Sequence, residues 1–165
     1  MKQERLRGVN LGGWFSQVDC IEEKDPVGFP GILEHIRTFL TTSDFKRIRE
    51  AGFNHVRLPV DYFNLFETGN LKPKTEIFEL LDKALKDIQA ADLDVILDLH
   101  KCPGHDFHLG CSTEQAFFVD PAARKGTCDI WSYMAERYSN EPRVMMELLN
   151  EPAASDSKIW DNILE

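Results

Sequence analysis

The run Val144-Met145-Met146-Glu147-Leu148-Leu149-Asn150-Glu151-Pro152 constrains this chain more than any other stretch. Five of its first six residues are apolar, it follows the turn signal Asn140-Glu141-Pro142, and it ends in an amide and an acid before a proline. A short apolar run of this kind fits a strand buried on both faces, as in a parallel sheet covered by helices. Pro152 has no N–H for a sheet ladder and biases the preceding residue towards extended geometry. Glu151 is therefore expected to be the last extended residue, where a strand opens into a loop. In α/β barrels that end of the sheet carries the chemistry. Taken alone, Asn-Glu-Pro fits an ordinary surface turn equally well, because three-residue motifs match by chance.

The rest of the chain repeats the pattern. Arg7-Gly8-Val9-Asn10-Leu11 reads as a first strand, and Gly12-Gly13 lets the backbone bend sharply and deliver Trp14 and Phe15 beyond its end. Residues 16–31, with Pro26, Gly28, Pro30 and Gly31, read as a long loop. Thr42-Ser43-Asp44 offers a helix cap before Phe45, Ile48 and Ala51, and Gly52 stops that helix. Residues 53–60 predict a second strand. Thr75 is placed to cap an amphipathic helix carrying Ile77, Leu80, Leu81, Ala84, Leu85 and Ile88. Residues 94–100 predict a third strand, residues 103–120 a loop, residues 129–138 a helix and residues 159–164 the start of another. Strands near residues 9, 57, 97 and 148 thus alternate with helices, as in repeated βα units of a parallel sheet.

At 165 residues the length prior is one domain. The net charge of -9 argues against nucleic acid or an anionic membrane as partner. No apolar run reaches membrane-spanning length. Met1-Lys2-Gln3-Glu4-Arg5 leads on without the apolar stretch of a secretory signal, so the expected location is cytoplasmic, or extracellular if the sequence begins after a cleaved signal. Gly12-Gly13 matches neither Gly-x-Gly-x-x-Gly nor a P-loop, which sets nucleotide binding aside. Cys20, Cys102, Cys111 and Cys128 form no Cys-x-x-Cys pair and read as reduced thiols, with a Cys102–Cys111 bridge as the exception.

The candidate chemistry lies at the strand ends, at Arg57, His100 and the pair Asn150-Glu151. An Arg inside a buried strand is costly unless it is paired, either in an internal salt bridge or in a site. A His ending an apolar strand fits a hydrogen-bonded core residue or a catalytic one. Convergence at one sheet end would make all of them face a single pocket.

Four stretches in this order resemble glycoside hydrolase family 5, the cellulase and exo-β-1,3-glucanase group of clan A. They are Arg7-Gly8-Val9-Asn10-Leu11-Gly12-Gly13-Trp14, Gly52-Phe53-Asn54-His55-Val56-Arg57-Leu58-Pro59-Val60, Leu97-Asp98-Leu99-His100-Lys101-Cys102-Pro103-Gly104 and Leu148-Leu149-Asn150-Glu151-Pro152. The first of them looks most like the exo-glucanase side. The resemblance implies a TIM-type (β/α)8 barrel, of which residues 1–165 cover about the first four βα units, and retaining hydrolysis of β-glucans by two glutamates. Carried over by motif, Glu151 resembles the general acid/base, and Asn150 the residue that hydrogen-bonds the sugar 2-hydroxyl. Arg57 would lie under the carboxylates and keep the nucleophile ionised, and His100 would line the subsite of cleavage. Trp14 and Phe15 are candidates either to stack on sugar faces or to fill the core. The implied partner is a β-linked oligo- or polysaccharide, and no cofactor is implied.

The resemblance also implies a nucleophilic glutamate on a seventh strand, whereas this sequence stops at Glu165. The expectation is an N-terminal half-barrel. Either a C-terminal half completes a hydrolase, or the half-barrel at most binds carbohydrate and cannot cleave it. Open strand edges and an uncovered apolar barrel face, including Val9, Leu11, Leu97 and Leu99, are expected to drive self-association. A competing metal reading uses His100, Cys102, His105, His108 and Cys111, whose types suit zinc but whose spacing matches no zinc pattern.

Overall fold

Four strands form one parallel sheet in the computed structural model, which describes residues 5–105, 116–152 and 156–164. They are β1 (Gly8–Asn10), β2 (His55–Asp61), β3 (Asp94–Lys101) and β4 (Val144–Glu147), hydrogen-bonded in sequence order. Parallel neighbours need long crossovers, and helices supply them. Between β1 and β2 lie α1 (Val18–Lys24), α2 (Ile32–Phe39) and α3 (Thr42–Glu50). Then come α4 (Tyr62–Leu65) and α5 (Thr75–Ala90) before β3, α6 (Ala116–Val119) and α7 (Pro121–Tyr138) before β4, and α8 (Ser157–Leu164) after it.

The expected helices form, with differences that have local causes. The cap of α3 is Thr41, one residue earlier than expected, in a capping box where Asp44 accepts from the Thr41 N–H at 2.9 Å. Gly52 follows the helix at φ 90, the left-handed position that favours glycine. Residues 16–31 are not all loop, since α1 occupies seven of them behind a left-handed Gln17 with no side-chain cap. That start carries no sequence signal. The helix expected at residues 129–138 begins at Pro121, where Asp120 accepts from the Ala122 N–H at 2.9 Å. An acidic cap followed by proline at the first helical position was a legible start.

The core lies on one face of the sheet. Val56, Leu58, Val60, Val95, Leu97 and Leu99 are fully buried against Leu81, Leu85 and Ile88 of α5 and their neighbours. Each such side chain contributes about 1.5–3 kcal/mol of burial. Side chains alternate across a strand, and the register pairs Asn10 with Arg57 and Asp98 with Glu147. Asn10, Arg57, Asp98, His100 and Glu147 therefore share the opposite face. This corrects the expected uncovered apolar interior: Leu97 and Leu99 point into the helical layer, and the open face is lined largely by polar groups.

Three further expectations change. β4 is not buried on both faces: Met145 is 41% exposed, and Leu148 just after the strand is 47% exposed. Arg57 is the third of seven residues of β2 and not at its end, because Pro59, Val60 and Asp61 extend the strand along β3. Glu151 is not extended: β4 ends at Glu147, and Glu151 has φ 44. The Asn150 N–H donates to the Leu99 carbonyl at 3.1 Å, one residue later than an unbroken parallel register gives. That extra residue is a bulge, which re-aims whatever follows it.

Among the described residues no helix is long and apolar enough to cross a membrane.

Candidate active site

The polar face of the sheet converges on the guanidinium of Arg57. Its Nε and Nη2 donate to the two Glu147 oxygens, both at 2.7 Å, in a fork that matches a carboxylate. Nη2 also reaches Asp98 Oδ2 at 2.8 Å and Asn150 Oδ1 at 3.0 Å, and Nη1 donates to Asn10 Oδ1 at 3.0 Å. One cation so ties β1, β3, β4 and the β4 exit together. Its reach explains how a residue below the strand end still serves the rim. Hydrogen bonding to Glu147 raises the pKa of Arg57, and the same contact lowers that of Glu147. Burial pushes the Asp98 carboxyl up, and the contacts with His100 and Arg57 pull it back. Such a network is not a net stabiliser in the way apolar packing is, but removing one member strands the others.

His100, next to last in β3, places Nδ1 2.9 Å from Asp98 Oδ2. Asn150 is buried by the bulge, and the Trp131 indole N–H donates to the Leu148 carbonyl at 2.9 Å, which pins the turn. Glu151 follows with its side chain exposed and its carbonyl oxygen 3.3 Å from Nε2 of His105. Its carboxylate is among the charges that raise the pKa of Arg57. Left-handed backbone at a non-glycine residue costs about 1–2 kcal/mol and clusters at functional sites.

Arg57, His100, Asn150 and Glu151 are thus brought to one rim. Trp14 is not among them. It is 4% exposed, its indole N–H donates to the Ile36 carbonyl at 2.8 Å, and its ring packs on Phe15 and Phe45 at 5.0 and 5.7 Å between centroids. Phe15 is fully buried as well. Gly13, at φ 78, turns the chain inwards, so the bend after β1 delivers both rings to the core rather than to sugar. Trp14→Ala is expected to destabilise the protein by about 3–5 kcal/mol in urea unfolding. Unchanged stability with weakened sugar binding would restore the stacking role.

Asn10, Asp98 and Glu147 join the site without a motif of their own, Glu147 as the one charged residue among the first six of its apolar run. The signal was alternation, since polar residues recur at 94, 98 and 100 between Val95, Leu97 and Leu99. Of the metal alternative, His108 and Cys111 lie outside the described residues. Among the described residues no group of three or more His, Cys, Asp or Glu side chains is placed to hold an ion. Burial pushes the Cys102 thiol up to about 12. Cys102 forms no disulfide, and its suggested partner Cys111 lies outside the described residues.

Comparison with known proteins adds the family. The family model for cellulase, glycosyl hydrolase family 5, matches residues 20–165. Endoglucanase C of Acetivibrio thermocellus is 37% identical over 160 residues, covering 95% of this chain and 43% of that protein. A probable glucan 1,3-beta-glucosidase A of Aspergillus clavatus is 32% identical over 177 residues, covering 92% of this chain and 42% of that protein. Among solved structures, endoglucanase Cel5A of Thermotoga maritima superposes with a TM-score of 0.68 at 21% identity, over 96% of this chain and 45% of that one. The cellulose synthase subunit Z of Clostridioides difficile gives 0.67 at 26% identity, over 98% and 46%. The chain spans less than half the length of these relatives, and its four βα units match the first half of a TIM barrel. With the family model covering most of its length, the chain belongs to glycosyl hydrolase family 5.

Proposed function

We propose that residues 1–165 form the N-terminal half of the catalytic barrel of a retaining glycoside hydrolase acting on β-glucans. The observation that carries this reading is the Arg57 hub, which gathers Asn10, Asp98, Glu147 and Asn150 beside Glu151 at one rim of a polar sheet face. In this reading Glu151 protonates the leaving oxygen and later activates water as base. Asn150 hydrogen-bonds the sugar 2-hydroxyl, a contact that strengthens as the oxocarbenium-like transition state forms. His100 lines the subsite of cleavage. Arg57 holds nearby carboxylates ionised, as its effect on Glu147 illustrates.

Retention requires a second carboxylate about 5–5.5 Å from the acid. In this reading that carboxylate is the glutamate which the family resemblance places on a later strand, outside these four; Glu147 carries no nucleophile motif and pairs with Arg57 through both oxygens. The relatives' names include both an endoglucanase and a 1,3-beta-glucosidase, so the proposal is made at the level of β-glucan.

The test is the first-formed product anomer, followed by proton NMR as the full-length protein digests soluble β-1,3- and β-1,4-glucans. The β-anomer is expected to appear first and then mutarotate. The α-anomer first, or no sugar released from either glucan, would overturn the proposal.

A further inference from the structure

Asp98 takes no part in the roles assigned above, yet it is the most buried member of the network, with no exposed side-chain surface. One oxygen, Oδ2, serves both Arg57 Nη2 at 2.8 Å and His100 Nδ1 at 2.9 Å. We propose that Asp98 is a positioning residue for the same cleft: it holds His100 with its proton on Nδ1, so that Nε2 offers a lone pair to a hydroxyl of the bound sugar. This inference rests on the glycoside-binding reading of the cleft.

The chemistry follows from the donor and acceptor inventory. An ionised carboxylate can only accept, and the Arg57 guanidinium 2.8 Å away favours that form against the burial that raises the Asp98 pKa. His100 must then donate through Nδ1. The nitrogen that carries the proton is set by the hydrogen bond the other ring atom makes. In the neutral ring this leaves Nε2 as an acceptor, and Nε2 has no partner among the described residues. The ring is only 16% exposed, which limits its freedom to turn. A sugar hydroxyl donating to Nε2 would complete the chain from hydroxyl through imidazole and Asp98 to Arg57. A site built to accept from a hydroxyl rejects an analogue that lacks it. Asp98 would thereby connect sugar recognition at His100 to the cation that also holds Asn150.

Two substitutions separate this role from mere packing. In Asp98→Asn the amide oxygen can occupy the shared position, and its NH2 falls where Asp98 Oδ1 now has no partner. The tautomer should survive. Asp98→Ala removes the acceptor altogether. Long-range proton–nitrogen NMR of the ¹⁵N-labelled full-length protein, at a pH where the ring is neutral, reads the tautomer directly, with His100→Gln assigning the resonance. The expected result is Nδ1–H in the wild type and in Asp98→Asn, and a shift towards Nε2–H in Asp98→Ala. On β-glucans, Asp98→Ala should lower kcat/KM about 10–100-fold, the scale seen for carboxylates that orient a histidine. The loss should be smaller in a His100→Gln background than in the wild type, because the part that runs through His100 is already gone and only the part through Arg57 remains.

Nε2–H in the wild type, an unchanged tautomer in Asp98→Ala, or fully additive losses would each overturn the proposal. A protein with no activity on β-glucans would instead retire the functional reading. The NMR arm would still decide whether Asp98 sets the His100 proton.

Discussion

Expressed alone, residues 1–165 are expected to release no measurable sugar from β-glucans under conditions where the full-length protein digests them. Proton donation of the kind assigned to Glu151 contributes about 10²–10⁴-fold, against the roughly 10⁶-fold or more that enzymes supply in total. The remainder needs the second carboxylate and the groups that position the ring. The same polypeptide should self-associate through its sheet edges. The outer edges of β1 and β4 have no strand partner among the described residues, and open edges recruit other chains. The driving force is edge pairing rather than a broad apolar patch, because the open face carries Asn10, Arg57, Asp98 and Glu147. Light scattering at micromolar concentration should therefore report dimers or larger species. Cleavage at the full-length rate would show that these four strands already hold a nucleophile. A stable monomer would show that the edges are protected.

The sequence was informative wherever local signals and burial agreed. The βα alternation was legible, because apolar runs, caps and glycine stops all pointed to the same elements. The placing of Arg57, His100, Asn150 and Glu151 near one another was argued from strand ends, whereas Arg57 lies in mid-strand and Glu151 follows a bulge. Two kinds of information were missing. Short helices such as α1 depend on tertiary packing and begin without a cap, so composition alone assigned them to loop. The direction of side chains at strand ends depends on bulges. The displaced register at Asn150 and the left-handed Glu151 could not be read from an apolar run before a proline. Trp14 illustrates the same limit, since a glycine bend fixes that the chain turns but not towards which side. Asp98 was legible in principle. Its place in the alternation of β3 put it beside His100 and opposite Leu97 and Leu99, a contrast that the short apolar pattern carries without any motif to mark it.

Glu151→Gln in the full-length protein is expected to lower kcat/KM on natural β-glucans about 10²–10⁴-fold, the range for loss of a positioned general acid. Glutamine keeps the size of the side chain and removes the transferable proton. Glu151 is exposed, so the fold should be unaffected, and unfolding curves of the variant and wild type should coincide. The loss should fall on both halves of the reaction. The first step lacks its acid, and hydrolysis of the glycosyl-enzyme lacks the base that the same residue becomes. A variant with full activity and an intact fold would remove Glu151 from the chemistry altogether.

The measurement that bears most directly on Glu151 as the acid is single-turnover glycosylation across aryl β-glucosides of graded leaving-group acidity, in wild type and in Glu151→Gln. Proton donation matters little when the leaving group departs readily as an anion. The variant should therefore approach the wild-type glycosylation rate for the most acidic phenols and fall progressively behind as leaving groups become poorer. An equal loss for every leaving group would contradict the assignment and place the acid elsewhere.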